Sequence, residues 1–186
     1  MSEHEVRGAW FVAAREAVAE HFGSDGLEVL LAGLPAAHRA VVKDATAMDW
    51  QSEDALQSCL HSLRLQLAGG QRGRFGELLE QCTERGMGLV FSALVKLSPP
   101  RFVLSRVPDM WKAIRRGPGF VTVEHEEGSS VLRYQAFPYF ADPIYQELTE
   151  HSVRALVRLC TSVDPSVTVE RVTDDALDLR VDYRSR

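Results

Sequence analysis

Phe120-Val121-Thr122-Val123-Glu124 and Val131-Leu132-Arg133-Tyr134-Gln135, separated by a turn at Glu127-Gly128-Ser129, alternate apolar and polar side chains with a period of two. Successive side chains of a strand point to opposite faces, so this alternation predicts a β-hairpin with one face toward a core. Before it, as far as Gly117-Pro118-Gly119, apolar residues recur every three or four positions, which is helical spacing. Beyond it, Asp142-Pro143 opens a helix, because Asp caps free backbone N–H groups and Pro is tolerated in a first turn. That helix carries Tyr145, Leu148, Ala155, Leu156 and Leu159 as its apolar face, with Glu147 and Glu150 early and Arg154 and Arg158 late, as the helix dipole favours. Val167-Thr168-Val169-Glu170 and Leu177-Asp178-Leu179-Arg180-Val181-Asp182-Tyr183 then alternate around a turn at Thr173-Asp174-Asp175. The tail therefore reads β-β-α-β-β, a four-stranded antiparallel sheet, wet on one face, with one long helix packed on it.

Working toward the N-terminus, Val6, Trp10, Ala13, Ala14, Val18 and Phe22 form one stripe of a helix from Glu5 to Phe22 that Gly23 stops. Ser24 and Asp25 cap a short second helix through Leu34, and Pro35 starts a third that runs to about Ala45. Ser52, followed by Glu53 and Asp54, is an N-cap with an acidic first turn, and the helix it opens ends at Gly69-Gly70. A fifth helix carries Phe75, Leu78, Leu79 and Cys82 as far as Gly86, and a sixth runs from Leu89 to Leu97 before Pro99-Pro100. The seventh puts Val103, Val107, Met110 and Ile114 on one stripe, with a kink or restart expected at Pro108. The fold class is α+β: about seven helices over residues 1–116, then the hairpin-helix-hairpin part over 117–186, within one domain of 186 residues.

A content of 45% hydrophobic and 25% charged residues is that of a globular chain. The net charge of −5 would repel a phosphate backbone, so nucleic acid is not an expected partner. Cys59, Cys82 and Cys160 are odd in number and widely spaced, and no secretory signal pattern opens the chain, which points to reduced thiols in the cytoplasm. Apolar stretches are interrupted by charge well before the ~20 residues of a membrane span.

The segment His21-Phe22-Gly23-Ser24-Asp25-Gly26, the run from Arg101-Phe102 through Val107-Pro108-Asp109-Met110-Trp111, and the hairpin-helix-hairpin tail together resemble a myxobacterial paralogous family of unknown function. That family is in turn distantly similar to the haem-nitric-oxide-binding domains, the vinyl-four-reductase-like sensor domains and the transport-particle subunits. The resemblance implies a ligand-binding fold, and for the haem sensors it implies a proximal histidine on a helix. Counting from Phe102, the matching position falls at or beside Met110-Trp111, where there is no histidine. The Tyr-x-Ser-x-Arg motif that those sensors use for the haem propionates has no counterpart in Val131–Phe137, and Tyr183-Arg184-Ser185-Arg186 is one residue short of it at the other end of the domain. Met110 on an apolar stripe reads as core. The zinc cysteines of the vinyl-four-reductase-like relatives are missing too, since Val167–Tyr183 holds neither Cys nor His. No cofactor and no metal site is expected. The transport-particle subunits act as dimeric adaptors, some of which bury an acyl chain.

No residue set announces catalysis. Cys59 and His61 lie two apart, which on a helix sends them to different faces. Glu124-His125-Glu126-Glu127 diverges along a strand entering a turn. There is no Gly-x-Ser-x-Gly elbow and no phosphate-binding Gly-x-x-x-x-Gly-Lys. Trp10, Met110, Trp111, Tyr134 and Phe137 are the candidate lining of a cavity between helices and sheet, or core if that cavity has closed. Pro138, Tyr139 and Phe140 form an apolar run in a loop and are the candidate contact patch. The expected function is a non-enzymatic regulatory or adaptor domain acting through protein partners, as a homodimer or a subunit of an assembly. The alternative is a cytoplasmic sensor of a small apolar ligand, without haem or zinc.

Overall fold

The computed structural model describes residues 3–96, 98–161 and 164–184, and the side chains of all of these except 87–96. The chain groups into two compact units, Met1–Leu89 and Val90–Arg186. The boundary falls inside a helix, so the last helices before the sheet belong with the sheet and not with the helices that precede them.

The first unit opens on a strand, β1 (Glu5–Arg7), which pairs antiparallel with β2 (Trp50–Ser52), Val6 facing Gln51. This corrects the expectation of a helix from Glu5. Residues 5–8 are captured by contacts with residues distant in sequence: Gly8 N donates to Asp49 O at 2.8 Å, and the Arg7 guanidinium stacks 3.8 Å from the Trp50 ring. Only glycine fits at position 8, because a Cβ there would lie 2.0 Å from Thr46 O.

Helix α1 (Ala9–Ala32) buries Phe11, Ala13, Ala14, Ala17 and Val18. Gly23 interrupts it at φ 68°, ψ −165°, a conformation that L side chains rarely adopt, and the helix resumes at once. Helix α2 (Ala36–Asp44) starts after Pro35, and Arg15 of α1 donates to its terminal carbonyls, Val42 O at 2.7 Å and Ala45 O at 2.9 Å. Helix α3 (Glu53–Ser62) is capped as expected, Ser52 Oγ accepting from Asp54 N at 3.0 Å, and passes into a π-helical turn at Leu63–Leu67 before Gly69 and Gly70, both at positive φ.

Helix α4 (Arg72–Lys96) is continuous, where two helices separated at Gly86 were expected. A helical glycine costs about 1 kcal/mol relative to alanine but keeps its backbone donor, so it weakens a helix without ending it. The end expected at Leu97 lies outside the described residues.

In the second unit, α5 (Pro100–Ser105) and α6 (Val107–Ile114) meet at Arg106, with Pro108 in the first turn of α6, as its lack of an N–H requires. A two-residue strand, β3 (Arg115–Arg116), leads on to β4 (Phe120–Glu126) and β5 (Ser129–Gln135). A 3-10 turn at Pro138–Ala141 precedes α7 (Pro143–Arg158), whose cap Asp142 accepts from Ile144 N at 3.0 Å. Strands β6 (Ser166–Val172) and β7 (Leu177–Asp182) complete an antiparallel sheet in the order β4-β5-β7-β6.

In the register, Val123 faces Leu132 and Leu132 faces Leu179, so Tyr134, Leu132, Leu177, Leu179 and Val181 line the buried face, while α7 packs against β6 and β7. The opposite face is held by ion pairs: Arg180 with Glu126 at 2.8 Å and with Glu170, and Arg171 with Asp178 at 3.1 Å. A bulge between Val169 and Arg171 and these charges mark β6 as a protected edge. Among the described residues, no helix is long and apolar enough to cross a membrane.

Candidate functional site

Four of the five candidate lining residues lie in the second unit and are buried: Met110 and Trp111 on α6, Tyr134 on β5, and Phe137 just beyond it. Trp10 belongs to the first unit, half-buried on α1. Local backbone chemistry sets the cluster. Ala136 adopts φ 56°, the left-handed region that costs a residue with a Cβ about 1–2 kcal/mol, and this turn swings Phe137 back toward α6. Phe137 N donates to Asp175 O at 3.0 Å, so the loop between β6 and β7 holds the bend. Gly119 completes the approach: its carbonyl accepts from Trp111 Nε1 at 3.0 Å, and a Cβ at that position would touch Ala136 O, Phe137 and Trp111, each at 3.4 Å.

Phe137, 2% exposed, is the hub. Its ring meets Trp111 edge-on at 5.1 Å, Phe140 at 5.2 Å and Tyr145 at 5.6 Å, and Trp111 in turn meets Tyr134 at 5.4 Å. Edge-to-face contacts of this kind contribute about 0.5–1.5 kcal/mol each beyond burial. The Arg115 guanidinium lies 4.4 Å from the Trp111 ring centre and 5.5 Å from that of Phe137, a cation on the cluster's flank. The candidate lining residues are thus packed on one another, and burial pushes the Tyr134 hydroxyl far above its usual pKa.

The proposed contact patch is corrected in part. Pro138 is exposed and Tyr139 half-buried, but Phe140 is fully buried, its carbonyl accepting from Gln146 Nε2 at 2.8 Å. An aromatic loop run reads as surface, yet here the 3-10 turn folds its last ring under the sheet.

Two histidine–serine pairs went unnoticed in the sequence. His38 Nδ1 lies 2.8 Å from Ser58 Oγ, and His125 Nδ1 lies 2.8 Å from Ser130 Oγ. The second was legible, since His125 and Ser130 face each other across the hairpin. A nucleophile must be reachable, whereas Ser130 is fully buried and also shares a hydrogen bond with Tyr183 at 3.1 Å. Burial and the nearby Arg101 lower the His125 pKa.

Cys59 and His61 diverge, the first buried and the second exposed. Burial pushes the Cys59 and Cys82 thiols up to about 12, so neither offers a thiolate. Of the acidic hairpin tip, Glu124 turns to Arg133, Glu126 to Arg180 and Glu127 to Arg184, and no group of three metal-ligating side chains forms among the described residues.

The haem that the resemblance implies does not fit the side chains present. From Val107 to Ile114, α6 supplies one thioether, one indole and no imidazole, and the indole N–H is already committed to Gly119. The second unit's histidines, His125 and His151, sit on β4 and α7 and bond to Ser130 and Arg154.

No protein-family model and no curated protein matches the sequence. Solved structures match its fold. The H-NOX protein from K. algicida, in its Fe(II) unliganded form, aligns over 97% of both chains with a TM-score of 0.69 and 11% identity. The H-NOX protein from S. oneidensis aligns over 96% of both chains with a TM-score of 0.69 and 12% identity. An oxygen-binding H-NOX domain related to soluble guanylate cyclases aligns over 96% of this chain and 93% of its own, with a TM-score of 0.63 and 9% identity. Similarity at these identities concerns architecture, and the chain has the H-NOX-like α+β fold.

Proposed function

We propose that this chain is a non-enzymatic sensor domain, a haem-less member of the myxobacterial family it resembles, that responds to a small apolar ligand by rearranging the aromatic cluster of Trp111, Tyr134, Phe137 and Phe140. The observation that carries this reading is the likeness to H-NOX domains along nearly the whole chain, combined with an α6 that keeps an apolar stripe but has no iron-binding imidazole. Cys59, Cys82 and Cys160 are all free of disulfides, which is compatible with a reducing, cytoplasmic setting.

Three measurements test it together. Native mass spectrometry of freshly purified protein should show a co-purifying small molecule, or benzene should saturably change the Trp111 fluorescence of a variant carrying W10F and W50F. Hemin should produce no sharp, saturable Soret band. A saturable six-coordinate Soret spectrum would overturn the haem-independent reading, and a fluorescence signal indifferent to benzene and other small hydrocarbons would overturn the sensor reading.

The adaptor reading keeps one observation in its favour: Pro138 is exposed, Tyr139 is half-buried, and Phe120 at the edge of the sheet is 41% exposed. Light scattering on a sizing column tests it, a homodimer at tens of micromolar supporting it and a clean monomer counting against self-association.

A further inference from the structure

The first unit carries a cleft of about 210 Å³, smaller than the roughly 300–1,000 Å³ of sites for drug-sized ligands. One wall is a single face of α4, where Arg74, Glu77, Leu78 and Gln81 follow the three-and-four spacing of neighbours on a helix. The other wall is the end of the first segment of α1, where Gly23 breaks the helix and leaves the Phe22 ring 40% exposed. Gly26 leaves room for that side chain, since a Cβ there would lie 2.3 Å from Phe22 Cβ. Leu67, from the π-helical turn, closes the apolar floor.

The polar groups form a complementary set. Arg74 and Glu77 are both exposed, and neither is drawn into an ion pair or a side-chain hydrogen bond among the described residues. Pairing with each other would contribute little at such an exposed site, so both charges remain available. His21 Nδ1 donates to Ala17 O at 3.2 Å, which leaves Nε2 to accept from Gln81 Nε2 at 3.1 Å. This fixes the Gln81 amide with its Oε1 buried and without a partner among the described residues, an acceptor that lacks a donor.

We propose that this cleft binds a small zwitterion with an apolar side chain, that is, a free apolar α-amino acid. Its carboxylate pairs with the Arg74 guanidinium, its ammonium pairs with Glu77, and its side chain packs on Phe22, Leu67 and Leu78. The site is separate from the aromatic cluster of the proposed sensor, and the two ideas fail independently.

Isothermal titration calorimetry of the full chain tests it with leucine and phenylalanine, and with two probes that each carry one of the charges, isovalerate and isoamylamine. At least one amino acid should bind saturably and about tenfold tighter than either single-charge probe. R74Q should weaken amino-acid binding about tenfold and leave isoamylamine unchanged, and E77Q should do the reverse with isovalerate. Both positions are exposed, so unchanged melting midpoints will show that the variants fold; W111L should bind the amino acid as the parent does. No saturable heat with either amino acid overturns the proposal. So does isovalerate binding as tightly as leucine, which would mean a site for anions only, or wild-type binding by both charge variants.

Discussion

Replacing Phe137 by alanine should be the most damaging single change in the second unit. The side chain is 2% exposed and touches Trp111, Tyr139, Phe140 and Tyr145 at centroid distances of 5.1–5.6 Å. Truncating a buried phenylalanine in a core that cannot collapse costs about 3–5 kcal/mol. With a urea slope of about 2 kcal/mol per molar, the middle of that range moves the unfolding midpoint down by about 2 M. Because the chain groups into two units, unfolding should be read by hydrogen exchange at amides of β5 and α7 as well as by far-UV circular dichroism. A double-mutant cycle of F137A with W111L should then give a coupling of about 0.5–1.5 kcal/mol, the contribution of their edge-to-face contact. A midpoint shift below about 0.5 M at unchanged slope, or no coupling, would refute the view that Phe137 is the hub of this cluster.

Ala136→Gly relieves a left-handed alanine at the cost of a more flexible unfolded chain, so it should raise the melting temperature by the equivalent of up to about 1 kcal/mol, and a lowered midpoint would contradict the strain argument. Gly8→Ala, which drives a Cβ to 2.0 Å from Thr46 O, should unpair β1 from β2 and expose the Val6 and Gln51 amides to exchange. Asp142→Ala should cost about 1 kcal/mol by uncapping α7, measured as a lower denaturation midpoint. The buried thiols set an alkaline limit. Their folded pKa lies near 12 against an ordinary 9.0, so the folded chain retains protons that the unfolded chain loses, and stability that is complete below pH 9 should fall as pH rises toward 12. Iodoacetamide at pH 8 should accordingly modify Cys59 and Cys82 only after unfolding, which peptide mapping will show.

The hairpin-helix-hairpin part was legible because each signal in it is local. Period-two alternation fixed β4, β5 and β7, a glycine at positive φ marks their first turn, and Asp142-Pro143 supplies both a cap and a start for α7. The errors arose where tertiary bonds outweigh a local signal. Three residues are too few for a strand period to show, and β1 exists only because Val6 and its neighbours find Gln51 some forty-five positions away. Gly86 carried the mark of a stop, but α4 runs through it because a glycine retains its backbone hydrogen bond. The aromatic cluster was half legible: residue types named Met110, Trp111, Tyr134 and Phe137, whereas the positive φ at Ala136 that brings Phe137 onto Trp111 has no sequence signature, and without that bend Phe140 reads as surface.

On the sensor reading, the residue types on α6 limit what kind of signal this chain can give. A haem sensor converts formation or loss of a bond at iron into movement, and the chemistry resides in the metal and its axial imidazole. Met110 and Trp111 offer no equivalent bond, so on the sensor reading any signal must be a change in packing. A ligand shifts a conformational equilibrium only by its differential affinity for the two states, and useful couplings amount to about 1–3 kcal/mol. Displacing Phe137 gives up its burial and its ring contacts with Trp111, Tyr139, Phe140 and Tyr145, a loss of about 3–5 kcal/mol on the scale of its truncation, while the turn at Ala136 stores about 1–2 kcal/mol of backbone strain that such a displacement would release. The strain offsets only part of that loss. A small apolar molecule that takes the place of the Phe137 ring must supply the rest through its own contacts with the rings left behind, and Ala136→Gly, by removing the strain, should weaken benzene binding even as it stabilises the fold.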